Sequence, residues 1–427
     1  MTFTVESAQL KPNRLPLIPT YPPFRQWKPE ALKTALQDQP ICIYVHIPFC
    51  TQRCAFCYYK TVDLKEGRPE VERYVNALCR EFKLVAERFV LHERPIHAVY
   101  FGGGTPTVLQ EHQFVKIVES LRENFKHFDR KQQFCVEAEP LTVSKSKMEI
   151  LTQLGVNRLS MGVQSFDNEI IKLSGRGHDE NQAYRAINIA QQAGDWSINI
   201  DLLSGLVGET NATWQKSVGR ALNTEVESIT VYKMEAFANT DVYKLGTRQE
   251  TVQLPSDEQE LQFMQYAMEQ FEQANYLPWS FFTYTKNGSD RSEYIANIWR
   301  GMEFYGFGVS AFGCWENSIL QNTSDLEKYA ATIAANELPL TRGYNLTSLD
   351  RMVREVLMGL KLLRLDLQKF KKQYGFSLKA LCSSTLHSLE QAELITTSDQ
   401  ELALTAKGIL YGDYVGQTLA DALRKLH

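Results

Sequence analysis

Short runs of apolar, often β-branched residues recur along the chain and are separated by segments with helical periodicity. The runs predict six strands, at residues 41–47, 98–101, 134–137, 158–163, 198–203 and 228–233. Between them, apolar residues recur every three or four positions, for example over residues 70–90 and 181–193, which predicts helices with one buried face. Strands that alternate with helices predict a parallel sheet whose site lies at the carboxyl ends of the strands. The predicted fold class is therefore α/β, with a partial (β/α)6 barrel.

The pattern changes at about residue 344. Helices are predicted at residues 348–363 and 377–390, followed by strands at 394–396 and 401–404 and a further helix. This order is typical of a winged-helix-like domain. We therefore predict a Pro-rich N-terminal extension (1–40), a barrel with its C-terminal extension (41–343) and a winged-helix-like C-terminal domain (344–427). The last domain has no concentrated basic face, which favours a role as a lid or substrate wall over DNA binding.

Composition and charge narrow the functional classes. The chain has 427 residues, 44% of them hydrophobic, and a formal net charge of -4. The basic residues are scattered, so neither nucleic acid nor an anionic membrane is an expected partner. No stretch approaches the roughly 20 apolar residues that span a bilayer, and the N-terminus lacks an apolar targeting core. We expect a cytoplasmic protein.

Three of the eight cysteines lie in one loop directly after the first predicted strand. Cys50, Cys54 and Cys57 have the spacing C-x3-C-x2-C. Thiolates hold iron–sulfur clusters, and three ligands on a four-iron cluster leave one iron open to a ligand that is not protein. A zinc site usually brings a second Cys or His pair soon after, but the next such residues are Cys79 and His92. A disulfide framework is disfavoured because cysteines are sparse.

Glycine and polar residues follow the next predicted strands. Residues 101–106 read Phe-Gly-Gly-Gly-Thr-Pro, and consecutive glycines are expected to permit close backbone approach and to expose N–H groups. The segment lacks the Lys and Ser/Thr pattern of a phosphate loop. Glu137, Gln164 and Asp201 lie at the ends of the third, fourth and fifth strands. These residues are candidates for a common site, although polar residues at strand ends also cap loops.

The cysteine spacing and the glycine segment together resemble the radical SAM superfamily. The Gly-Gly-Gly-Thr-Pro-Thr string resembles in particular the oxygen-independent coproporphyrinogen III oxidases and their relatives. Residues 44–50, 157–166, 174–178, 199–202 and 306–311 match further strings of that subgroup, and residues 404–408 resemble its C-terminal domain. The resemblance therefore extends along most of the chain.

The resemblance implies a 4Fe-4S cluster on Cys50, Cys54 and Cys57, with S-adenosylmethionine (SAM) on the open iron. It implies two SAM molecules and an external one-electron reductant of the flavodoxin or ferredoxin type. The residues that it assigns to binding SAM are Tyr44, Phe56, Gly103, Gly104, Thr105, Glu137, Gln164, Arg176 and Asp201, with Glu235, Tyr284 and Phe312 as a wall for the second SAM. For the two aromatic residues of that wall, core packing is the alternative. No residue is assigned a catalytic role.

The sequence departs from that subgroup at two places. The coproporphyrinogen oxidases carry a fourth cysteine two residues after the triplet, where this chain has Tyr59. The heme-chaperone branch carries a histidine element before the late glycine motif, but no histidine occurs here between His178 and His387. Both departures disfavour these branches. They leave two others open, namely two-SAM enzymes that methylate or cyclopropanate unsaturated small molecules and enzymes that methylate and open heme. We favour transfer of a carbon unit from a second SAM to an unsaturated small molecule, by C-methylation or cyclopropanation.

Other functions stay open at this stage. The first alternative is oxidative decarboxylation of a porphyrinogen, as in coproporphyrinogen III oxidase. Alternatives of other classes are a noncatalytic heme or cluster carrier and a DNA-binding regulator with a sensing cluster. No motif identifies the substrate, for which an aromatic or tetrapyrrole molecule is one candidate.

Overall fold

The six predicted runs form six neighbouring parallel strands in the centre of a 12-stranded sheet. The computed structural model describes residues 21–29, 40–64, 69–248 and 254–426. The six strands are β1 (Ile41–Ile47), β4 (Ile96–Gly103), β5 (Gln133–Ala138), β6 (Arg158–Gln164), β7 (Ser197–Ser204) and β8 (Ser228–Lys233). Strands β2 (Phe49–Cys50) and β3 (Val62–Asp63) form a separate small sheet. The alternation of apolar runs with helices thus produces the partial (β/α)6 barrel that the sequence predicts, because each strand needs a helix to cover its outer face.

Helices connect these strands and cover the outside of the sheet. They are α1 (Pro69–Arg88), α2 (Glu111–Asn124), α3 (Lys145–Gln153), α4 (Asn168–Leu173), α5 (Glu180–Gln192), α6 (Asn211–Leu222), α7 (Asp241–Arg248) and α8 (Asp257–Gln273). Apolar residues of α1, such as Leu78 and Phe82, are fully buried against outward-facing residues of the strands. The helix starts at Pro69, since proline is well tolerated at the first helical position.

Sequence analysis did not predict the elements between residues 276 and 345, whose strands extend the sheet at both edges. These elements are β9 (Tyr276–Pro278), β10 (Thr283–Lys286), α9 (Glu293–Trp299), β11 (Phe304–Phe307), β12 (Phe312–Trp315), β13 (Ser318–Asn322), α10 (Leu326–Ala334) and β14 (Leu340–Asn345). The complete strand order is β14-β13-β12-β11-β1-β4-β5-β6-β7-β8-β10-β9. Strand β11 is parallel to β1, whereas β12 to β14 form an antiparallel meander beside it.

The C-terminal part has its own apolar core and the predicted winged-helix-like form. It comprises α11 (Ser348–Gly359), β15 (Arg364–Asp366), α12 (Leu367–Tyr374), α13 (Leu378–Leu381), α14 (Ser383–Gln391), β16 (Ile395–Thr397), β17 (Glu401–Leu404), α15 (Ala406–Leu410) and α16 (Gly412–Arg424). The predicted helix at 377–390 is divided at Cys382, and β15 adds a third strand to the two that were predicted. Phe281 and Phe282 of the barrel pack into this core and join the two parts.

The predicted domain boundaries remain predictions. Most of the N-terminal extension, residues 1–20 and 30–39, lies outside the described residues. Within the described ranges, no helix is long and apolar enough to cross a membrane.

Candidate functional site

The loop with the three cysteines lies at the carboxyl end of β1 and is anchored on both sides. The amide of Ala55 donates to the carbonyl oxygen of Ser174 at 3.0 Å, and the carbonyl oxygen of Ala55 accepts from the amides of Asp241 and Val242. The amide of Cys57 also donates to the carbonyl oxygen of Cys54 at 3.1 Å. The loops after β6 and β8 therefore hold the cysteine loop over the barrel.

The three thiols lie close enough to influence one another's ionisation. Cys50 is 9% exposed, and Cys54 and Cys57 are half-buried. Burial, together with the neighbouring thiols, raises the pKa of Cys50 to about 12, although a hydrogen bond from Thr105 opposes the rise. Burial also raises the pKa of Cys54 and of Cys57. Burial thus disfavours the thiolate form of all three cysteines, and a positively charged group bound among them would favour it.

The three thiols are candidates to hold an iron–sulfur cluster. In the described residues, no three His, Cys, Asp or Glu side chains are arranged to hold one metal ion. Each cysteine of an iron–sulfur cluster binds a different iron, so its ligands need not converge on one point. Cys50, Cys54 and Cys57 are the residues that would hold such a cluster.

The glycine segment presses its backbone against the cysteine loop. A Cβ atom on Gly104 would lie 2.6 Å from the carbonyl oxygen of Phe49 and 3.0 Å from Sγ of Cys50. Gly103 has φ of 116°, and a Cβ atom there would lie 2.6 Å from the ring of His46. Both positions therefore require glycine, and Thr105 Oγ1 completes the contact by donating to Sγ of Cys50 at 3.6 Å.

The expectation that this segment exposes its N–H groups is wrong. The amides of Gly104 and Thr105 donate to the carbonyl oxygens of Ile47 and Phe49, each at 2.8 Å. The amide of Gly103 donates to Oε2 of Glu137 at 3.0 Å. The glycines serve close packing rather than anion binding, because their donors hold the two loops together.

Two of the predicted carboxylates lie in the barrel interior. Glu137 accepts from Tyr100 Oη at 2.7 Å in addition to the amide of Gly103, and burial raises its pKa. Asp201 accepts from Nδ2 of Asn199 at 2.8 Å and from Ser160 Oγ at 3.4 Å. Burial, and then the nearby Glu137, raise the pKa of Asp201 to about 7. A cationic ligand between the two carboxylates would relieve this penalty.

A second charged group lies beside the cysteine loop. Arg176 donates from Nη1 to Sγ of Cys54 at 3.4 Å and from Nη2 to the carbonyl oxygen of Gly162 at 2.6 Å. Its Nη2 lies 3.6 Å from Oε1 of Glu139, and Oε2 of Glu139 accepts from Thr51 Oγ1 at 3.2 Å. The predicted Arg176 therefore contacts the loop directly.

Sequence analysis missed Glu139 and Thr51 as part of this charged group. The signal that could have found Glu139 is its position two residues beyond Glu137, since alternate residues of a strand share a face.

Gln164 occupies a strained position at the end of β6. Its φ is 69°, and the pairing of β6 with β7 shifts register between Gly162 and Gln164. A non-glycine residue in the left-handed region costs about 1–3 kcal/mol, and such strain is common at functional sites. The backbone bend turns Gln164 beside Gly162, next to the contact that Arg176 makes.

The predicted aromatic contacts have two different surroundings. Tyr44 lies in the barrel, with its ring 6.1 Å from that of Tyr100 and 6.2 Å from that of Tyr294, and its hydroxyl is 3.1 Å from Nδ1 of His46. Phe56 is half-buried and packs against a small apolar cluster beside the cysteine loop. Tyr100 and Tyr294 were not predicted to belong to the site.

The residues predicted for a second SAM have different neighbours in the structure. Glu235 lies close enough to Tyr58 to contribute, after burial, to raising the pKa of that phenol. Tyr284 is buried in the core against Phe271, with ring centroids 4.9 Å apart. Phe312 stacks on Phe24 of the N-terminal segment. Their role in binding a second SAM stays a prediction.

A polar network that sequence analysis did not predict lies at the amino ends of β6 and β8. Arg158 forms a buried ion pair with Asp290 and donates from Nη2 to Ser228 Oγ at 2.9 Å. Ser228 Oγ donates at 3.0 Å to Oδ1 of Asn199, whose amide holds Asp201. Through Asn199, the network fixes the orientation of the Asp201 side chain.

The fold and the site define a class of protein in which a partial barrel presents three cysteines for a cluster with one open iron. Comparison with known sequences agrees with this class. The Radical SAM superfamily pattern matches residues 44–220, and the HemN C-terminal domain pattern matches residues 346–411.

Individual relatives cover nearly the whole chain. The heme chaperone HemW of Bacillus subtilis is 30% identical over 373 residues, which are 87% of this chain and 97% of the relative. The oxygen-independent coproporphyrinogen III oxidase of Salmonella typhimurium is 28% identical over 389 residues, 87% of this chain and 84% of the relative. The solved structure of coproporphyrinogen III oxidase (HemN) from Escherichia coli, a radical SAM enzyme, superposes with a TM-score of 0.81 at 25% identity, covering 96% and 97% of the two chains.

This chain belongs to the radical SAM superfamily, in the group that contains HemW and the oxygen-independent coproporphyrinogen III oxidases. Membership implies a 4Fe-4S cluster and SAM as cofactors.

Proposed function

We propose that this protein is a radical SAM enzyme that acts on a tetrapyrrole, by oxidative decarboxylation of the coproporphyrinogen type. The observation that carries the proposal is the similarity to the Escherichia coli coproporphyrinogen III oxidase over 96% of this chain, which includes the C-terminal domain as well as the barrel. Shared C-terminal architecture is relevant because this domain packs against the edge of the barrel through Phe281 and Phe282. A substrate that enters the barrel from this side would meet both parts.

The site residues have distinct tasks in this proposal. SAM, on a cluster held by Cys50, Cys54 and Cys57, would supply the radical chemistry that removes one hydrogen atom from the substrate. Loss of CO2 would then form the double bond and pass one electron to an external one-electron acceptor. Arg176, beside the cysteine loop and paired with Glu139, would bind the methionine carboxylate of SAM. Glu137 and Asp201 provide buried negative charge for a sulfonium or ribose hydroxyls, held in place by Tyr100 and Asn199. A flavodoxin or ferredoxin type of reductant would deliver the electron.

The carbon-transfer reaction that the sequence first favoured has less support. It rests on Tyr59 in place of a fourth cysteine and on the missing histidine element. The relatives named above are a heme chaperone and coproporphyrinogen oxidases, so they favour a tetrapyrrole ligand over a methyl acceptor. They offer no support for a second SAM.

A heme carrier is the second candidate. It is favoured by the 30% identity to the Bacillus subtilis heme chaperone over 97% of that protein. The absence of a fourth cysteine near Tyr58 and Tyr59, whose rings stack at 4.3 Å, is compatible with it. Such a carrier would bind heme without consuming SAM in proportion to substrate.

One assay separates the three functions. The cluster is reconstituted anaerobically, and the protein receives dithionite, SAM with a deuterated methyl group and coproporphyrinogen III. Decarboxylated product with unlabelled 5'-deoxyadenosine is expected. Deuterium in the 5'-deoxyadenosine would instead indicate attack on the methyl group of a second SAM. Absence of product, together with heme binding in a parallel titration with hemin, would favour the carrier. The Cys54→Ala variant is the negative control, and Cys79→Ala, outside the loop, is the matched variant expected to retain activity.

A further inference from the structure

A cavity of about 460 Å³ lies between the barrel and the C-terminal part. Its barrel wall contains residues 297–303, which join α9 to β11, and residues 314–317, which form the turn between β12 and β13. Helices α11 and α12 form the opposite wall. The volume falls within the range of roughly 300–1,000 Å³ that is usual for small-molecule sites.

The cavity is remote from the cysteine loop. Pro40, which directly precedes β1, lines it, whereas Cys50 follows the carboxyl end of that strand. Strand β1 has seven residues, so roughly 20 Å separate the cavity from the loop, at about 3.3 Å per residue. A ligand of this cavity is therefore distinct from SAM and from a substrate that reacts beside the cluster.

Two arginines of α11 line the cavity and form no ion pair. Arg351 donates from Nη1 to Oδ1 of Asn317 at 3.3 Å and from Nη2 to Ser348 Oγ at 3.1 Å, and both acceptors are neutral. Arg354 donates from Nη1 to the carbonyl oxygen of Tyr21 at 3.2 Å. Within the described ranges, no carboxylate pairs with either guanidinium, and Nε of Arg351 is buried without a hydrogen-bond partner. A guanidinium has five N–H donors, so both arginines retain donors for a further ligand.

Two more cations line the cavity where α9 meets α12. Arg300, directly after α9, is exposed, and its guanidinium has no partner among the residues that the structure describes. Lys369 of α12 donates from Nζ to the carbonyl oxygen of Arg300 at 3.0 Å and lies 3.9 Å from Oε1 of Glu355. The four cations therefore come from both sides of the cavity.

The carboxylates of the lining do not balance these cations. Glu303 forms an ion pair with Arg94, a further cation that does not itself line the cavity. Glu355 accepts from Tyr374 Oη at 2.7 Å, and Glu316 is the third carboxylate of the lining. Three carboxylates thus face four lining cations and Arg94, so positive charge is in excess. A partly buried guanidinium without a counterion is costly, and a bound anion would relieve that cost.

We propose that this basic cavity, defined by Arg300, Arg351, Arg354 and Lys369, binds a small anionic ligand that carries carboxylate or phosphate groups. The forked donors of a guanidinium match the oxygens of either group. Because Arg300 belongs to the barrel and Arg351 and Arg354 to the C-terminal part, the ligand would also connect the two parts. The inference goes beyond the proposed function and does not depend on it, since the cavity lies apart from the cysteine loop.

The test is calorimetric titration of the reconstituted full-length protein without SAM or porphyrinogen. The probes are propane-1,2,3-tricarboxylate, inorganic phosphate and the neutral propane-1,2,3-tricarboxamide, all at one ionic strength because salt screens exposed charges. Arg351→Gln and Arg300→Gln each remove one charge, from opposite sides of the cavity. Lys371→Gln, an exposed cation of α12 outside the cavity, is the matched control. Iron content and melting temperature establish that each variant folds, and Arg300 is exposed, so its replacement leaves the packing intact.

We expect the tricarboxylate to bind and the triamide not to bind. Arg351→Gln and Arg300→Gln should each weaken binding by about tenfold, and Lys371→Gln should change it less than about twofold. Phosphate that competes with the tricarboxylate, or that alone binds and is weakened by the same two variants, would support a site that takes phosphate groups; phosphate that does not compete would support a carboxylate site.

Two results would overturn the proposal. One is a wild-type protein that binds neither anion. The other is binding that is unchanged in both Arg351→Gln and Arg300→Gln, since the anion would then bind outside the basic cavity. Neither result bears on the proposed function, because no porphyrinogen or SAM is present in the titration.

Discussion

Glu81 of α1 provides the sharpest test of how burial of a carboxylate affects the stability of this fold. Its fully buried carboxylate accepts hydrogen bonds from the amide of Gly308 at 2.7 Å, from Asn322 Nδ2 at 2.9 Å and from Tyr329 Oη at 2.6 Å. Gly308 itself lies against His46, at the end of the strand that leads to the cysteine loop. Glu81 thus connects the outer helix layer to the turn that packs on β1.

The magnitude of the effect follows from the ionisation of Glu81. Burial raises its pKa from the usual value of 4.5 to about 7, although its three hydrogen bonds oppose the rise. Between these values the native protein holds a proton that the unfolded chain has lost, so stability falls as the pH rises through this interval. At ~1.4 kcal/mol per pH unit, the loss is about 3 kcal/mol, complete once the pH exceeds the native pKa.

The variant Glu81→Gln removes this ionisation while keeping the shape of the side chain. We expect the free energy of unfolding of the variant, relative to wild type, to increase by roughly 2–3 kcal/mol between pH 5 and pH 7.5. Anaerobic urea titrations of the reconstituted proteins measure this difference. Glu87→Gln, an exposed change on the same helix, is the control and should give a constant difference. A constant difference for Glu81→Gln as well would refute the reasoning.

Three further predictions concern the cofactor site. Gly104→Ala should prevent cluster assembly, measured as iron content, because its Cβ would lie 2.6 Å from a carbonyl oxygen, whereas Gly219→Ala, with nothing within 4 Å, should assemble normally. Glu137→Gln should weaken SAM binding, measured by calorimetry, by about tenfold without loss of iron, since it removes buried negative charge facing the ligand; wild-type affinity would exclude that role. Cys54→Ala should abolish the cluster absorbance at roughly 400 nm and SAM cleavage, while Cys79→Ala retains both; cleavage by the first variant would contradict the ligand assignment.

The sequence predicted those features whose residues all lie within one short segment of the chain. The six central strands follow from apolar runs, because a strand buried on both faces needs uninterrupted apolar residues. The strand at Glu401–Leu404 coincides with its prediction. The prediction of the cluster ligands rests on the same kind of local signal, since Cys50, Cys54 and Cys57 lie in one loop and their spacing limits the metal chemistry.

Prediction failed wherever the signal is weak or shared between distant segments. The meander from β12 to β14 was missed because its strands are short and hold glycine and polar residues such as Gln321. The N–H groups of the glycine segment were expected to be free, but their acceptors come from the preceding loop and from Glu137. The pairing register between strands decides which acceptors these N–H groups meet, and the periodicity of apolar residues does not reveal that register.

The sequence by itself therefore determined the barrel, through hydrophobic periodicity, and the superfamily, through the resemblance of its motifs; the cysteine ligands of the cluster stay a prediction. Only the tertiary structure decided which charges meet. Asp201 has a pKa near 7 because it is buried near Glu137, and Arg342 faces Phe24 because the N-terminal segment joins the sheet at β14. Electrostatic energies and ring contacts depend on distance and burial, which arise only when remote parts of the chain come together.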